Sequence, residues 1–298
     1  MKSTSPKKPT YIVYAPSYNA NNGGCIFLHQ LVHNLNNMGE RALLWPMQPI
    51  RMSKFKRYLN VKKEPDKSFK LSPDLNTAIA EKKDLNDNAI VVYPEIVKGN
   101  PLNIKNVVRW LLYKPGVMHP FEFGKDEMFF KVDELCEDIE ITGGAQDLFL
   151  WKVNPCYKNH KRPNRKGSCY IVRKGKEKQL VHDLDDSIKI DGKSHKEIAE
   201  IFNRCEVFYS YDEATMYSQY AAVCGCTSIV IPGMYKSRED WIANHDLAKF
   251  GVAYGLDDIA HAKETQNKVI DLLLERERAG VKTVASFIET TKEKFGFQ

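Results

Sequence analysis

Strand-like and helix-like patterns alternate along most of this sequence, and that alternation restricts the possible folds more than any other feature. The run "YIVYAP" (11–16) is apolar, β-branched and aromatic, as is typical of a buried strand. In "CIFLHQLVHNLNNMG" (25–39), leucine and valine recur at i, i+3, i+4 and i+7 from Leu28, and Gly39 is placed to end the helix. Alternating strands and helices are typical of α/β proteins with parallel sheets.

The alternation occurs twice, which predicts two domains. The first series continues with the apolar strands "RALLW", "NAIVVYPE" and "NVVRWLLYKPG". The second begins with "CYIVRKGK" and a helix, "SHKEIAEIFNRC", that starts with a capping box formed by Ser194 and Glu197. The strand "EVFYS", a helix from Asp212 to Gly225 and the strand "TSIVIPG" follow. A chain of 298 residues is long enough for two Rossmann-like, doubly wound parallel-sheet domains.

Breaks in this pattern set the predicted boundaries. The stretch "NPCYKNHKRPNRKGS" is rich in proline, lysine and arginine and has no acidic residue, which is typical of an interdomain linker. The last part of the chain is helical only, as two helices separated by "AGV". The predicted organisation is a disordered basic tail at 1–10, an N-terminal domain at 11–155, a linker at 156–168, a C-terminal domain at 169–261 and C-terminal helices at 262–298.

The cysteines argue against a metal site and against a disulfide framework. There are seven, spread over the chain, and no CxxC pair occurs among them. We therefore expect reduced thiols that act as small core residues, with no bound metal. No apolar run approaches the roughly 18–20 residues of a membrane span, and no apolar signal segment follows the first basic residues. A cytoplasmic location is expected.

The charge distribution favours anionic partners. Lys and Arg number 44 against 38 Asp and Glu, and this net charge of +6 is too mild to indicate a nucleic-acid binder. Basic residues concentrate at 51–70, where apolar residues also recur with helical spacing. Such a segment suits either the anionic surface of a membrane or a solvated insertion.

Polar residues follow several of the predicted strands, and parallel α/β sheets bind ligands beyond the carboxyl ends of their strands. After the first strand comes "NNGG" (21–24), in which Gly23 and Gly24 stand at a helix start that favours phosphate. An ordinary tight turn explains the same glycines. Neither a GxGxxG fingerprint nor a GxxxxGK[ST] loop occurs in the sequence. Two such domains face to face would share one central cleft.

The first strand of the second domain is followed by a basic turn, "VRKGK" (172–176). Arg173 and Lys174 are placed to neutralise a diphosphate there, since arginine supplies a forked set of donors and lysine a point charge. Surface lysines beside the end of a strand are also common, so both interpretations stay open.

The corner "YSYDEAT" (209–215) is the strongest functional signal. Asp212 alone fits a helix N-cap. A site that holds a ribose or a phosphate uses several polar groups, and this corner supplies them. The hydroxyls that crowd the helix start belong to Tyr209, Ser210, Tyr211 and Thr215.

Two further titratable residues follow strands of the first domain. Glu95 ends the strand in "YPEIVKGNP", and His119 lies just past the next strand in "YKPGVMHP". Each is a candidate acid, base or hydroxyl-positioning group.

Together these stretches resemble the GT-B glycosyltransferases, of the family 4-like type that builds bacterial capsule or surface polysaccharide. The resemblance spans about residues 11–235 and rests on "NNGGCIFLHQLVHNLNNMG", "YPEIVKGNPLNIKNVVRWLLYKPG" and "FYSYDEATMYSQYAAVCGCTSIVIPG". It implies a nucleotide-sugar donor bound by the second domain and an acceptor on the side of the first. It also implies C-terminal helices that partly cross back to the first domain.

The resemblance assigns roles to individual residues. In these enzymes two glutamates precede an "EAMACG"-like stretch, the first near the transferred sugar and the second near the ribose. Aligned on "YAAVCG", Asp212 stands at the first position and keeps a carboxylate, whereas Tyr220 stands at the second. Arg173 and Lys174 match the basic pair that meets the donor diphosphate.

In the first domain, the same resemblance places Gly23 and Gly24 in the loop that approaches the donor. His119 falls near a histidine that contacts the sugar. The implied activity is metal-independent transfer of a sugar without a cofactor, from a nucleotide-sugar co-substrate to an oligosaccharide or lipid-linked glycan. Two alternatives stay open, a non-catalytic nucleotide- or glycan-binding module and a sugar-nucleotide epimerase of the same architecture.

Overall fold

The chain divides into two compact units, each with its own sheet. The computed structural model describes residues 8–20, 22–47 and 68–298. The first unit is Met1–Trp151 together with Glu277–Gln298, and the second is Lys152–Arg276. Residues 1–7 of the predicted tail and all but the last three residues of the basic stretch at 51–70 lie outside the described residues.

The first unit contains a six-stranded parallel sheet. Its strands are β1 (Thr10–Ala15), β2 (Arg41–Pro46), β3 (Ala89–Pro94), β4 (Asn106–Leu111), β5 (Met128–Lys131) and β6 (Gln146–Asp147). They lie in the order β2-β1-β3-β4-β5-β6, and every neighbouring pair is parallel. Every residue of β3 and β4 is buried, as is typical of parallel strands covered on both faces.

Helix α1 (Gly23–Asn37) follows β1, as the sequence predicts. The side-chain oxygen of Asn22 caps it by accepting a hydrogen bond from the backbone N–H of Cys25 at 3.0 Å. The chain leaves the helix through Gly39, whose φ of +85° suits glycine. The predicted apolar stripe is buried and consists of Leu28, Leu31, Val32 and Leu35. A single-turn helix, α2 (Ile139–Thr142), lies between β5 and β6.

The second unit contains a five-stranded parallel sheet. Its strands are β7 (Ser168–Ile171), β8 (Ser187–Lys189), β9 (Val207–Ser210), β10 (Thr227–Val230) and β11 (Val252–Tyr254). They lie in the order β11-β10-β9-β7-β8, again with every neighbouring pair parallel. The predicted fold class, α/β with two parallel-sheet domains, is therefore confirmed.

Three helices connect the strands of the second unit, and a fourth follows its last strand. They are α3 (His195–Arg204), α4 (Tyr217–Cys224), α5 (Arg238–Asn244) and α6 (Ile259–Thr265). The capping box predicted at the start of α3 is present, with Ser194 and Glu197 bonded to each other's backbone N–H. Helix α4 ends at Gly225, whose φ of +98° is left-handed, as predicted.

The start of α4 differs from the prediction. The helix begins at Tyr217, whose backbone N–H donates to the Thr215 hydroxyl at 3.4 Å. Asp212 is too far back along the chain to be its N-cap, so that prediction is wrong. Its carboxylate instead closes a local turn, because Oδ1 accepts a hydrogen bond from the backbone N–H of Ala214 at 3.1 Å.

Part of the segment predicted as a linker, 156–168, packs on the second unit. Tyr157 is only 2% exposed and stacks on Tyr220, with ring centroids 4.1 Å apart. Arg165 donates a hydrogen bond to the carbonyl oxygen of Phe202 at 2.7 Å. The basic composition of this segment thus includes a cation that binds the end of α3.

The C-terminal helix α7 (Val269–Phe295) is continuous, so the predicted break at "AGV" is wrong. Gly280 lies inside it, where a Cβ would come within 3.0 Å of the carbonyl oxygen of Phe149. Glycine therefore allows the helix to lie close to that backbone. The Thr283 hydroxyl bonds the backbone of the same residue, accepting from Phe149 N at 3.1 Å and donating to the Phe149 carbonyl oxygen at 2.9 Å. No helix in the described ranges is both long enough and apolar enough to cross a bilayer.

A buried ion pair fixes the loops around β4. The Arg109 side chain is 0% exposed and forms a bidentate pair with Glu127, both bonds being 2.8 Å long. The same guanidinium donates to the carbonyl oxygens of Val97 at 2.7 Å and of Gly99 at 3.0 Å. One buried cation thus ties the loop after β3 to the loop before β5.

We predict that Glu127→Ala lowers the free energy of unfolding of the first unit by about 3–5 kcal/mol, because it leaves the Arg109 charge buried without a counterion. Glu200→Ala, which breaks the exposed pair between Arg162 and Glu200, is the matched control and should cost less than about 1 kcal/mol. Urea unfolding of both variants measures the difference. Equal costs would show that burial adds nothing to the Arg109 pair.

Candidate functional site

Both sheets have the same strand order around their first strand. In the first unit β1 lies between β2 and β3, and in the second unit β7 lies between β8 and β9. The chain therefore runs outward in opposite directions from β1 and from β7. At such a switch point the loops at the carboxyl ends separate and leave a crevice for ligands. In the second unit this point lies between β7 and β9.

The turn after β7 and the turn after β9 bring Arg173 and Asp212 together at that switch point. The Arg173 Nε lies 3.7 Å from the Asp212 Oδ2. The Asp212 side chain is 2% exposed, whereas that of Arg173 is 49% exposed. Arg173 Nη1 also lies 3.5 Å from the Thr215 hydroxyl. A half-exposed guanidinium thus stands over a buried carboxylate.

One oxygen of this carboxylate accepts no hydrogen bond. Asp212 Oδ1 is bonded to Ala214, but Oδ2 is buried without a hydrogen-bond donor. An unmet acceptor of this kind is costly and rare in folded proteins. Its nearest charged group is the Arg173 guanidinium, 3.7 Å away, so the pair places a charged but incompletely bonded oxygen at the switch point.

The neighbouring carboxylate, Glu213, is in the opposite situation. Its side chain is 4% exposed, and both of its oxygens are fully bonded. The donors are the backbone N–H groups of Gly233 and Met234, the Lys178 ammonium at 2.9 Å and the Tyr254 hydroxyl at 2.8 Å. Glu213 therefore links the turns after β7, β9 and β10 to the end of β11.

Burial by itself raises the pKa of Glu213, but hydrogen bonds from Lys178, Tyr254 and Met234 outweigh it, so that the pKa lies below its usual value. Lys178 also donates to the carbonyl oxygen of Ile231 at 2.6 Å. Its side chain occupies the space beside Gly233 that a Cβ would need. The network is thus tightly packed as well as charged.

Three predicted donor-binding residues pack or hydrogen-bond within the protein. Tyr209 lies in β9, and its ring stacks on His182 with centroids 4.7 Å apart. Ser210 donates to the carbonyl oxygen of Asp212 at 2.7 Å. Tyr211 is fully buried, and its hydroxyl bonds Val181 N and His182 Nδ1. A donor-binding role for these three residues stays a prediction.

The remaining predicted residues of this unit differ in exposure. Thr215 is 7% exposed and lies beside Arg173. Lys174 is exposed in the turn after β7. Tyr220 is buried against Tyr157, so its ring belongs to the core of the unit.

In the first unit, the predicted residues Gly23, Gly24 and Glu95 lie at the switch point between β1 and β3. The two glycines are the first residues of α1, and a Cβ on Gly23 would meet no atom within 4 Å. A Cβ on Gly24 would lie 3.6 Å from the Leu112 side chain. Glu95 Oε2 accepts a hydrogen bond from Leu112 N at 3.0 Å. Leu112 is thus a common neighbour of Gly24 and Glu95.

Glu95 and His119 differ in environment. Glu95 is 6% exposed, and burial raises its pKa above the usual value of a carboxyl. His119 is half-buried in the loop after β4. Burial thus favours the neutral form of the Glu95 carboxyl.

The sequence reasoning missed three residues that organise the second unit, Glu213, Lys178 and Asp191. Glu213 and Lys178 stand beside predicted residues, in "YDEAT" and "RKGKEK", but their pairing joins turns that are 35 residues apart in the chain. Asp191 follows β8 in "KIDGKS", and it bonds the turn after β7. The sequence signal that could have indicated Glu213 and Asp191 is that each is a carboxylate shortly after a strand.

No known protein family and no curated protein matches this sequence. The solved structures similar to it include the glycosyltransferase of kitacinnamycin, with 10% identity, 97% of this chain and 100% of that chain covered, and a TM-score of 0.44. An α-glucosyltransferase in complex with UDP and DNA has 10% identity, coverages of 97% and 99%, and a TM-score of 0.43. The E. coli ADP-heptose LPS heptosyltransferase II has 14% identity, coverages of 90% and 99%, and a TM-score of 0.32. At these values none of the three assigns a substrate or a residue role to this chain.

We predict that Glu213→Gln lowers the free energy of unfolding by about 2–4 kcal/mol at pH 7, since the new amide NH₂ would face groups that are all donors. The folded-state pKa of Glu213 is lowered, so its contribution is complete above the unfolded value of about 4.3 and is lost as pH falls through the folded value. Urea unfolding between pH 3 and 8 should therefore show the two proteins converging at low pH. Glu206→Gln, at an exposed position, is the control, and a difference that persists unchanged at pH 3 would contradict the assignment.

Proposed function

We propose that the protein is a glycosyltransferase whose nucleoside-diphosphate sugar binds at the switch point of the second unit. The observation that carries this proposal is the half-exposed Arg173 guanidinium beside the buried, unmet oxygen of Asp212. A ligand that offers both a diphosphate and free hydroxyls satisfies the cation and the carboxylate together. Nucleotide sugars have this combination.

In this proposal the basic turn binds the leaving group. Transfer of the sugar leaves a nucleoside diphosphate, on which negative charge increases in the transition state. Arg173 and Lys174 stabilise that charge, with arginine able to make two parallel bonds to phosphate oxygens. Asp212 Oδ2 accepts a hydroxyl of the transferred sugar and orients it. No metal ion or further cofactor is part of the proposed reaction.

The acceptor is proposed to be a glycan. Its attacking hydroxyl loses a proton during transfer, and Glu95 and His119 are the proposed acid–base groups. Glu95 suits this role because its pKa is raised by burial. Gly23 and Gly24, at the open start of α1, are proposed to approach the donor.

The cellular role is proposed from the resemblance of three stretches of the sequence to enzymes of capsule and surface polysaccharide. The acceptor would then be an oligosaccharide or lipid-linked glycan, and the reaction would occur in the cytoplasm at the inner face of the membrane. The basic segment at 51–70 is proposed to bind the anionic membrane surface there.

A thermal-shift panel of UDP, GDP, TDP, CMP and ADP with their sugar conjugates tests the donor site. One nucleotide and its sugar conjugate should raise Tm by several degrees. Incubation with that conjugate then separates the alternatives. A transferase moves the sugar only when an acceptor is present, an epimerase alters the donor alone, and a binding module changes neither. No shift from any nucleotide would contradict the proposal.

We predict that Arg173→Ala and Asp212→Asn each lower kcat/KM for sugar transfer by about 10²–10³, because each removes a group that stabilises charge or orients the sugar in the transition state. Arg204→Ala is the matched control, since Arg204 is exposed on the amino side of the same sheet. It should retain wild-type kinetics. Full activity of both site variants would exclude the assigned site.

We predict that reversing three charges, Lys54→Glu, Lys56→Glu and Arg57→Glu, weakens binding to phosphatidylserine vesicles, measured by sedimentation, by about 100-fold or more, at roughly 1 kcal/mol per basic residue. Wild-type binding should also fall as salt is raised from 0.1 to 0.5 M. Phosphatidylcholine vesicles are the control. Equal binding to both kinds of vesicle would contradict the membrane proposal.

A further inference from the structure

The backbone of Arg173 has an unusual conformation for a residue with a side chain. Its φ is +38°, in the left-handed region that normally favours glycine. Such a conformation costs stability and persists only where neighbouring groups enforce it. Arg173 is also the residue whose guanidinium lies beside Asp212, so the strained backbone belongs to a residue of the candidate site.

Asp191 is the group that holds this backbone. It lies two residues after β8, on the strand next to β7. Its Oδ2 accepts a hydrogen bond from Val172 N at 3.1 Å, and its Oδ1 accepts one from Arg173 N at 3.0 Å. One carboxylate thus fixes the two successive peptide groups that precede the left-handed residue.

The other end of the turn is fixed independently. Gly175 N donates to the carbonyl oxygen of Val172 at 2.7 Å. A Cβ on Gly175 would overlap the carbonyl oxygen of Tyr211, so the turn is pressed against the end of β9. With both ends held, the chain reverses over Arg173 and Lys174, and Arg173 has the positive φ.

We infer that Asp191 is a positioning residue that holds Arg173 in its left-handed conformation and thereby directs the guanidinium towards Asp212 and Thr215. The inference rests on the proposed function in one respect, namely that Arg173 binds the diphosphate. A glycine at 173 would relieve the strain but would bring no cation to the site. The left-handed conformation at position 173 is therefore explained by the placement of the arginine side chain and not by the turn itself.

A double-mutant cycle tests the inference through the ligand. Asp191→Asn keeps one acceptor oxygen, and we expect it to weaken binding of the preferred nucleoside diphosphate, chosen from UDP, GDP, TDP and ADP, by about tenfold in calorimetry. In an Arg173→Ala background the same change should have less than about a twofold effect, because the guanidinium that Asp191 directs is then absent. Asp185→Asn, at an exposed position in the same unit, is the control.

Equal weakening in both backgrounds would show that Asp191 acts on the fold and not through Arg173, and no weakening in either would exclude any role in binding. Both results overturn the inference while leaving the proposed function intact. If the wild-type protein binds none of the four nucleotides, the proposed function fails instead. A second cycle that needs no ligand then decides the question of Asp191.

That second cycle measures strain. With Asp191 present, Arg173→Gly should melt about 2–4 °C higher than Arg173→Ala, because glycine adopts a positive φ without a steric penalty. With Asp191→Asn the two variants should melt within about 1 °C of each other, since the backbone is free to relax. Equal melting temperatures with Asp191 present would overturn the inference, and this comparison holds even if Asp191→Asn does not fold.

Discussion

Parallel pairing is the constraint on which the rest of each unit depends. Every neighbouring pair of strands in both sheets is parallel, so each connection must cross the sheet and all strands end at one edge. Residues that are far apart in sequence but follow a strand are therefore collected in one place. Arg173, Asp191 and Asp212 come from turns after β7, β8 and β9, and meet for this reason. The strand order thus determines which residues meet at the site.

The two adjacent carboxylates at this edge of the sheet, Asp212 and Glu213, differ in how completely they are hydrogen-bonded. Glu213 is surrounded by donors from two turns and from β11, so it stays charged and fully bonded. Asp212, one residue earlier, keeps an oxygen that no hydrogen bond reaches. The two residues lie in the turn after β9, and their side chains have different partners. The hydrogen bonds of Glu213 hold these turns in place. The turns therefore cannot easily rearrange to supply a hydrogen-bond donor to Asp212 Oδ2.

The elements that the sequence predicted are those with a strong local signal. The apolar runs of β1, β3, β4 and β10, the stripe of α1 and the capping box of α3 depend on neighbouring residues, and the structure contains them. The strands β6, β8 and β11 have two or three residues each, too short for a periodic pattern. Gly280 resembles a helix break in the sequence, but the helix continues through it, and its contact with Phe149 explains why a glycine stands there. Local patterns cannot encode contacts of this kind.

The residues of the candidate site also divide into those that a local sequence pattern predicts and those whose roles depend on the strand order. Arg173 and Asp212 were predicted because each follows a strand, and the structure brings them within 3.7 Å. The roles of Glu213, Lys178 and Asp191 depend on which turns are neighbours, which the strand order determines. The hydroxyl of Tyr211 suggested a ligand contact in the sequence, but the crossover before β8 supplies its partners, Val181 and His182. A polar residue at the end of a strand is therefore a good indication of the site and a poor indication of its own role.

The two units place carboxylates at corresponding points, after the third strand in the shared order, with opposite acid–base properties. Glu95 follows β3 and Glu213 follows β9, and both are almost fully buried. Glu213 receives an ammonium, a hydroxyl and backbone donors, which together outweigh burial and lower its pKa. For Glu95 burial is the larger effect, and its pKa is raised. Burial alone thus does not decide whether the charged or the neutral form of a carboxyl is favoured, since the number of charged and polar donors around it determines which of the two forms the protein stabilises.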